Sequence, residues 1–314
     1  MNYSHLPILF LILTSMAIPI LRYTSLLFSP ITNNGIRFLS GGIFLLIIAL
    51  CRYRSKLPAL FPKQKYIWSL LICCSFLMSI NMVYFIKGLS LSSAFTGSIF
   101  TTFGIPVTTL FAMLLFPDER KKSYNIFFFI GMIICIIGSM IFINQNNNIH
   151  SNSNNRFTSG TLFLSISICS QIILNNLIKY LSTQVPIIII ALCNSFCVGI
   201  SLLILATITG DIKELSSVGI DKIIILIFAG VYGIFVGMLV GFSVIKQNGI
   251  TTFNIIQLLT PITTAIFSYF IMKENISFTQ FLGSSMILLG AYFCVFGKHT
   301  FNVLLNKYNN KNLG

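Results

Sequence analysis

The sequence predicts an all-α integral membrane protein of ten transmembrane helices, arranged as two inverted five-helix repeats. Three observations lead there. Of 314 residues, 55% are hydrophobic and only 8% charged, and the mean hydropathy is +0.90. A soluble domain carries about 25% charged residues, so water could not solvate a surface of this composition. Secondly, apolar runs of about 20 residues follow one another with short polar breaks, the pattern of a polytopic helical membrane protein. They are unbroken rather than alternating, which excludes barrel strands. Thirdly, the chain repeats itself. The stretch from Leu89 to Glu119 is an apolar run with one central proline and a terminal carboxylate, and the stretch from Val244 to Glu274 has the same design. Pro106 and Pro261 lie 155 residues apart, as do Glu119 and Glu274. Pro30 and Pro186, and Met82 and Met238, keep an offset of 156, while Gly131/Gly138 recur as Gly283/Gly290 at 152. Self-similarity at a fixed period marks two copies of one unit.

In chain order the spans fall at roughly 5–25, 31–51, 67–86, 93–115, 125–143, 160–179, 187–208, 222–245, 250–271 and 279–297. The first has no basic n-region or small-residue cleavage pattern, and its echo at 160–179 is a span, so it reads as an uncleaved helix. Residues 1–143 form the first repeat (spans 1–5), 144–157 an Asn-rich polar linker, 158–298 the second repeat (spans 6–10), and 299–314 a basic tail. The linker is polar and of low complexity, consistent with a flexible connection.

Orientation follows from the loop Lys/Arg count. With a cytoplasmic N-terminus, thirteen basic residues fall on the cytoplasmic side and five on the other, with Arg22 and Arg37 inside spans. Both termini are therefore expected in the cytoplasm, with the lipid bilayer as the protein's surroundings. Five helices per copy is an odd number, so the second copy enters from the opposite side. Inverted repeats of this kind are typical of secondary transporters, whose substrate sites lie near the midplane between the halves.

The net charge of +14 does not indicate nucleic acid, because the basic residues are spread between apolar runs and no recognition motif is present. Seven of the eight cysteines lie in apolar runs without His, Asp or Glu nearby, so no metal site and no cofactor is expected. The three histidines lie in loops or at span ends without an acidic partner, which speaks against an enzyme.

Polar residues sharing a face of an intramembrane helix either line a cavity or join helices by hydrogen bonds. Span nine offers Asn254, Gln257, Pro261 and Thr264 on one face, span six Ser167, Gln171 and Asn175, span four Thr102, Pro106 and Thr109, and span three Asn81 and Tyr84. As a set they suggest a pocket of amides and hydroxyls for a small-molecule substrate. Pro106 and Pro261 each free a backbone carbonyl, which makes their helices hinges or static kinks. Arg22 and Arg37 either snorkel to the interface or bind a substrate carboxylate or phosphate. No acidic residue lies deep in a span, so proton coupling would fall to Glu119 or Glu274, and a cation would have to rely on aromatic faces such as Tyr84, Tyr232 or Tyr269. Gly233, Gly237 and Gly241 form a GxxxGxxxG stripe suited to helix packing or to a sliding surface. Gly283, Gly290 and Gly297 support packing or a homodimer contact.

Ten spans, the order helix, Pro, helix, Glu and then a Gly-x6-Gly helix in each half, and Arg37 early in span two resemble EamA-type members of the drug/metabolite transporter superfamily, over about residues 5–298. That resemblance implies an inner-membrane carrier moving small metabolites by alternating access. It also implies a structural role for Arg37, since an arginine there accompanies many different substrates. Efflux of amino-acid-like compounds is the first expectation, since an amide-lined cavity suits a zwitterion. Uptake or exchange of an external metabolite or organic cation is the alternative, and a non-transporting scaffold subunit the alternative class. In one place the halves differ: Glu119 stands 12 residues before Gly131, but Glu274 only 9 before Gly283.

Overall fold

The computed structural model describes residues 6–53, 58–117, 126–143, 151–273, 277–278 and 280–294. It is helical almost throughout. The helices are α1 (Leu6–Leu27), α2 (Pro30–Tyr53), α3 (Lys65–Leu91), α4 (Ala94–Leu115), α5 (Ile126–Ile143), α6 (Ser151–Leu181), α7 (Ile187–Thr209), α8 (Ile220–Ile234) and α9 (Phe242–Met272), then α10 (Gln280–Cys294). A π-helical segment, Phe235–Gly241, joins α8 to α9. Among the described residues seven helices are long and apolar enough to cross a membrane, and the apolar helices Ile126–Phe142, Gln257–Ile271 and Gln280–Cys294 are shorter.

Two elements differ from expectation. Residues 151–157, expected as linker, continue α6 as helix; the membrane-length part of that helix is Thr158–Leu181, so the polar stretch prolongs the backbone ladder beyond the apolar part. Spans eight and nine, expected to be separated by a loop, are continuous: α9 begins within span eight and runs on through span nine, and the break falls at Gly249, with φ 85° and ψ 169°. Only glycine occupies that region readily, so one residue turns the chain where a loop was expected.

The outward faces carry large apolar side chains: Phe76 is 65% exposed, Leu114 75%, Ile208 76% and Phe270 75%. A water-soluble protein does not present apolar surface on this scale, whereas lipid solvates it. Inside, one apolar cluster joins α2, α3, α6, α7 and α8 through Leu45, Leu71, Leu174, Ile190 and Ile234. A second joins α3, α4, α5 and α6 through Ile86, Ile99, Phe142 and Leu164. The halves interleave: α3 packs on α6, α2 on α7 and α8, and α9 on α1 and α4.

Small residues set the close approaches. A Cβ on Gly138 would stand 2.8 Å from Met286 Cβ and 3.0 Å from the Gly283 oxygen, and one on Gly290 2.7 Å from the Gly131 oxygen. α5 and α10 therefore cross antiparallel at backbone contact, and Gly283 and Gly290 are buried within the chain in this crossing. α2 and α7 also cross antiparallel, Gly35 meeting Leu203 and Gly199 meeting Leu39.

The mid-helix prolines leave carbonyls without helical partners. Pro261 has no N–H for the oxygen of Gln257, four residues earlier. That oxygen lies 3.3 Å from the Thr102 hydroxyl of α4, which donates to it. α9 thus passes Pro261 with its carbonyl satisfied across the junction of the two halves.

Candidate functional site

A cavity of about 210 Å³ lies between the halves, walled by α1, α2, α3 and α4 from the first and α6, the α8–π segment and α9 from the second. Its walls are mostly apolar, with Phe10 and Phe253 packed at 5.3 Å between ring centres on one side. Polar groups are few and come from both halves: Thr14, Arg37, Asn81, Thr101 and Thr108 from the first, and Ser167, Gln171, Asn175, Gln257 and Thr260 from the second.

Asn81 is 3% exposed, and its Nδ2 donates to the Ser167 main-chain oxygen at 2.8 Å and to Ser167 Oγ at 3.0 Å. Its Oδ1 is buried without a hydrogen-bond partner among the described residues. On α6, Gln171 Nε2 donates to Asn175 Oδ1 at 2.6 Å, so two of the amides lining the cavity orient one another. Ser15 and Thr263 hydrogen-bond across α1 and α9.

Arg37 does not snorkel. It is 3% exposed and faces the cavity. Its Nη1 donates to Asn34 Oδ1 at 3.2 Å and Asn33 Oδ1 at 3.4 Å. Asn34 is held in turn by donating to the oxygens of Pro30 at 2.8 Å and Met82 at 3.0 Å. Arg37 Nε is buried without a partner among the described residues. A side chain at Gly233 would begin 3.1 Å from Arg37 Nη2, so that glycine makes room for the guanidinium.

The sequence-predicted residues separate into groups. Asn81, Ser167, Gln171, Asn175, Gln257 and Arg37 are brought together in the cavity wall. Tyr84 stands outside it, stacked on Phe163 at 5.8 Å. Thr102 is fully buried and commits its hydroxyl to the Ser98 and Gln257 oxygens. Thr264 Oγ1 is buried without a partner among the described residues. Arg22 donates Nη1 to the Leu89 oxygen, tying α1 to the end of α3. The Tyr232 hydroxyl donates to the Leu13 oxygen at 2.9 Å, and Tyr269 is 59% exposed on the outer face. Pro106 and Pro261 are buried within their helices, and the non-helical backbone inside α9 is at Gly249 instead. The side chain of Asn254, and all of Glu119 and Glu274, lie outside the described residues.

Gly233 and Gly237 line the cavity, and a Cβ on Gly237 would meet nothing within 4 Å. Only Gly241 packs as a small-residue stripe would have it, against the Phe10 ring. Sequence reasoning missed Thr101 and Thr108, on the face of α4 one residue round from Thr102 and Thr109. Since α4 is buried over most of its circumference, periodicity could not distinguish the two faces. Among the described residues no cluster of His, Cys, Asp and Glu could hold a metal ion.

The model of the EamA-like transporter family matches the chain twice, at residues 6–144 and 158–296. An "Uncharacterized transporter" of Haemophilus influenzae (strain ATCC 51907 / DSM 11121 / KW20 / Rd) is 36% identical over 293 residues, covering 92% of this chain and 95% of that protein. An "Uncharacterized transporter in trpA 3'region" of Buchnera aphidicola subsp. Schlechtendalia chinensis is 34% identical over 113 residues, 36% of this chain and 34% of that protein. A solved structure titled "Crystal structure of protein" superposes with a TM-score of 0.58 over 96% of this chain and 98% of its own, at 13% identity, a likeness of fold alone. With two matches that together span nearly its whole length, the chain belongs to the EamA-like transporter family.

Proposed function

We propose that the protein is a secondary carrier of the inner membrane that moves a small metabolite by alternating access, exporting amino-acid-like or related compounds. The observation carrying this reading is the single cavity wall to which both halves contribute amides and hydroxyls, Asn81 and Thr108 from one, Gln171, Asn175 and Gln257 from the other. A site between repeats can open to either side when one repeat rocks against the other.

Ten spans in two inverted five-helix repeats are supported by reciprocal contacts. Gly131 corresponds to Gly283 and Gly138 to Gly290 in the repeat, and Gly131 meets Gly290 while Gly138 meets Gly283. A two-fold relation requires such exchange of partners. The bias of thirteen loop Lys/Arg residues against five supports cytoplasmic termini. The export direction rests on family resemblance.

Counterflow in liposomes holding the purified chain, with labelled amino acids and their derivatives, nucleosides, sugars and quaternary amines, tests the reading. Exchange of one class, reduced in Gln257→Ala and Asn175→Ala, is expected. No exchange by folded, inserted protein would sink it in favour of a non-transporting subunit. Vesicles of known sidedness loaded on one face read the direction.

A further inference from the structure

Among the described residues Arg37 is the only charged side chain in the cavity wall. Its guanidinium stays protonated, and the partners it has within the chain are neutral amide oxygens. A buried charge left with dipoles alone is costly, and a full counter-charge is the effective remedy. Among the described residues that counter-charge is absent from the wall, whose other polar members are threonines, serine, asparagines and glutamines. Nε has no partner among the described residues, and Gly233 keeps the space beside Nη2 clear. Nε and Nη2 form the edge of a guanidinium that binds a carboxylate through two parallel hydrogen bonds.

A second unpaired group faces the same space. Asn81 Oδ1 is a buried acceptor lacking a donor among the described residues, on the helix whose Met82 oxygen holds Asn34 against Arg37. A ligand that fills both needs presents an anion to Arg37 and a neutral N–H or O–H to Asn81.

We propose that Arg37 anchors a carboxylate of the transported compound, and that this compound is a small monocarboxylate of net charge −1 with a neutral hydroxyl or amide N–H. The charge balance selects it. A monoanion neutralises the Arg37 cation, a zwitterion leaves one positive charge in the cavity, and a phosphate dianion leaves one negative charge. Hydroxy acids and N-acyl amino acids carry the required groups, and the apolar walls receive their side chains. The proposal rests on the cavity being the transport site and narrows the amino-acid-like class to its members with a neutral nitrogen or oxygen.

The test uses the purified full-length chain, with counterflow in liposomes and thermal stabilisation in detergent. Two matched series serve as probes: lactate, N-acetylalanine, alanine, alaninamide, N-acetylalaninamide and ethyl phosphate, and the corresponding phenylalanine-derived set. The monocarboxylates are expected to exchange and to bind about tenfold or more tightly than their zwitterionic, cationic and neutral counterparts, a difference of about 1.4 kcal/mol. Arg37→Gln is expected to abolish that preference. Asn81→Asp, a near-isosteric change that places an internal carboxylate in the same cavity wall as Arg37, should abolish it even if Arg37→Gln fails to fold. Preference for the zwitterion, the neutral amide or the phosphate ester would overturn the proposal while leaving the carrier reading intact. So would a monocarboxylate preference that survives in both variants, or transport confined to another class. Silence from every class by folded protein would defeat the carrier reading, and this proposal with it.

Discussion

Thr102 Oγ1 lies 3.3 Å from the main-chain oxygen of Gln257, the carbonyl that Pro261 leaves without a helical donor. The two residues stand 155 positions apart, the offset that separates Pro106 from Pro261. The hydroxyl thus serves the second proline helix from the matching position of the first. Thr102→Val keeps the shape and removes the donor, which should cost about 1–3 kcal/mol for an unsatisfied buried carbonyl. Thr102→Ser should restore most of it. Thermal unfolding in detergent reads both, and equal stability of the Val and Ser variants would contradict the assignment.

The α5–α10 crossing has no room for side chains at its glycines. Gly138→Leu should destabilise by about 1–3 kcal/mol or more through overpacking. Ile137→Leu, at a neighbouring residue 45% exposed on the outer face, should change little. The comparison is made on unfolding midpoints of the two purified variants. Similar midpoints would mean that the crossing is looser than the contacts of Gly138 with Met286 and Gly283 require.

Gly237 borders open space, since a Cβ there meets nothing within 4 Å. Gly237→Ala should fold and retain transport. Gly237→Phe should fill the cavity and stop transport while the unfolding midpoint stays near that of the parent chain. Transport by the Phe variant at the parental rate would exclude the cavity from the path.

Gly249 holds φ 85° and ψ 169°. An alanine forced into that region costs about 1–3 kcal/mol. Gly249→Ala should therefore lower the midpoint, whereas Gly237→Ala should not. An unchanged midpoint would place the turn between α8 and the longer arm of α9 elsewhere.

Membrane-impermeant thiol labelling tests orientation. A cysteine replacing Lys213 should label in intact cells, and one replacing Lys63 only after permeabilisation. The opposite pattern would reverse the orientation drawn from the loop charges.

The sequence by itself determined the membrane class, the positions of the main helices and the doubling of the chain. Those features depend on composition and spacing, which survive without knowledge of neighbours: a run of twenty apolar residues must find lipid or protein whichever way it is turned. Tertiary structure decided which face of each helix turns inward. In a membrane, lipid-facing and interior side chains are alike apolar, so the usual contrast between faces is weak. For that reason α4 presents Thr101 and Thr108 to the cavity in place of Thr102, Tyr84 leaves it for Phe163, and Gly237 borders space instead of a helix. The fate of Arg37 was likewise not contained in its position along the chain. An arginine near a helix end can reach the interface or turn inward, and here the amides of Asn33 and Asn34, with the room left by Gly233, keep it buried at the cavity.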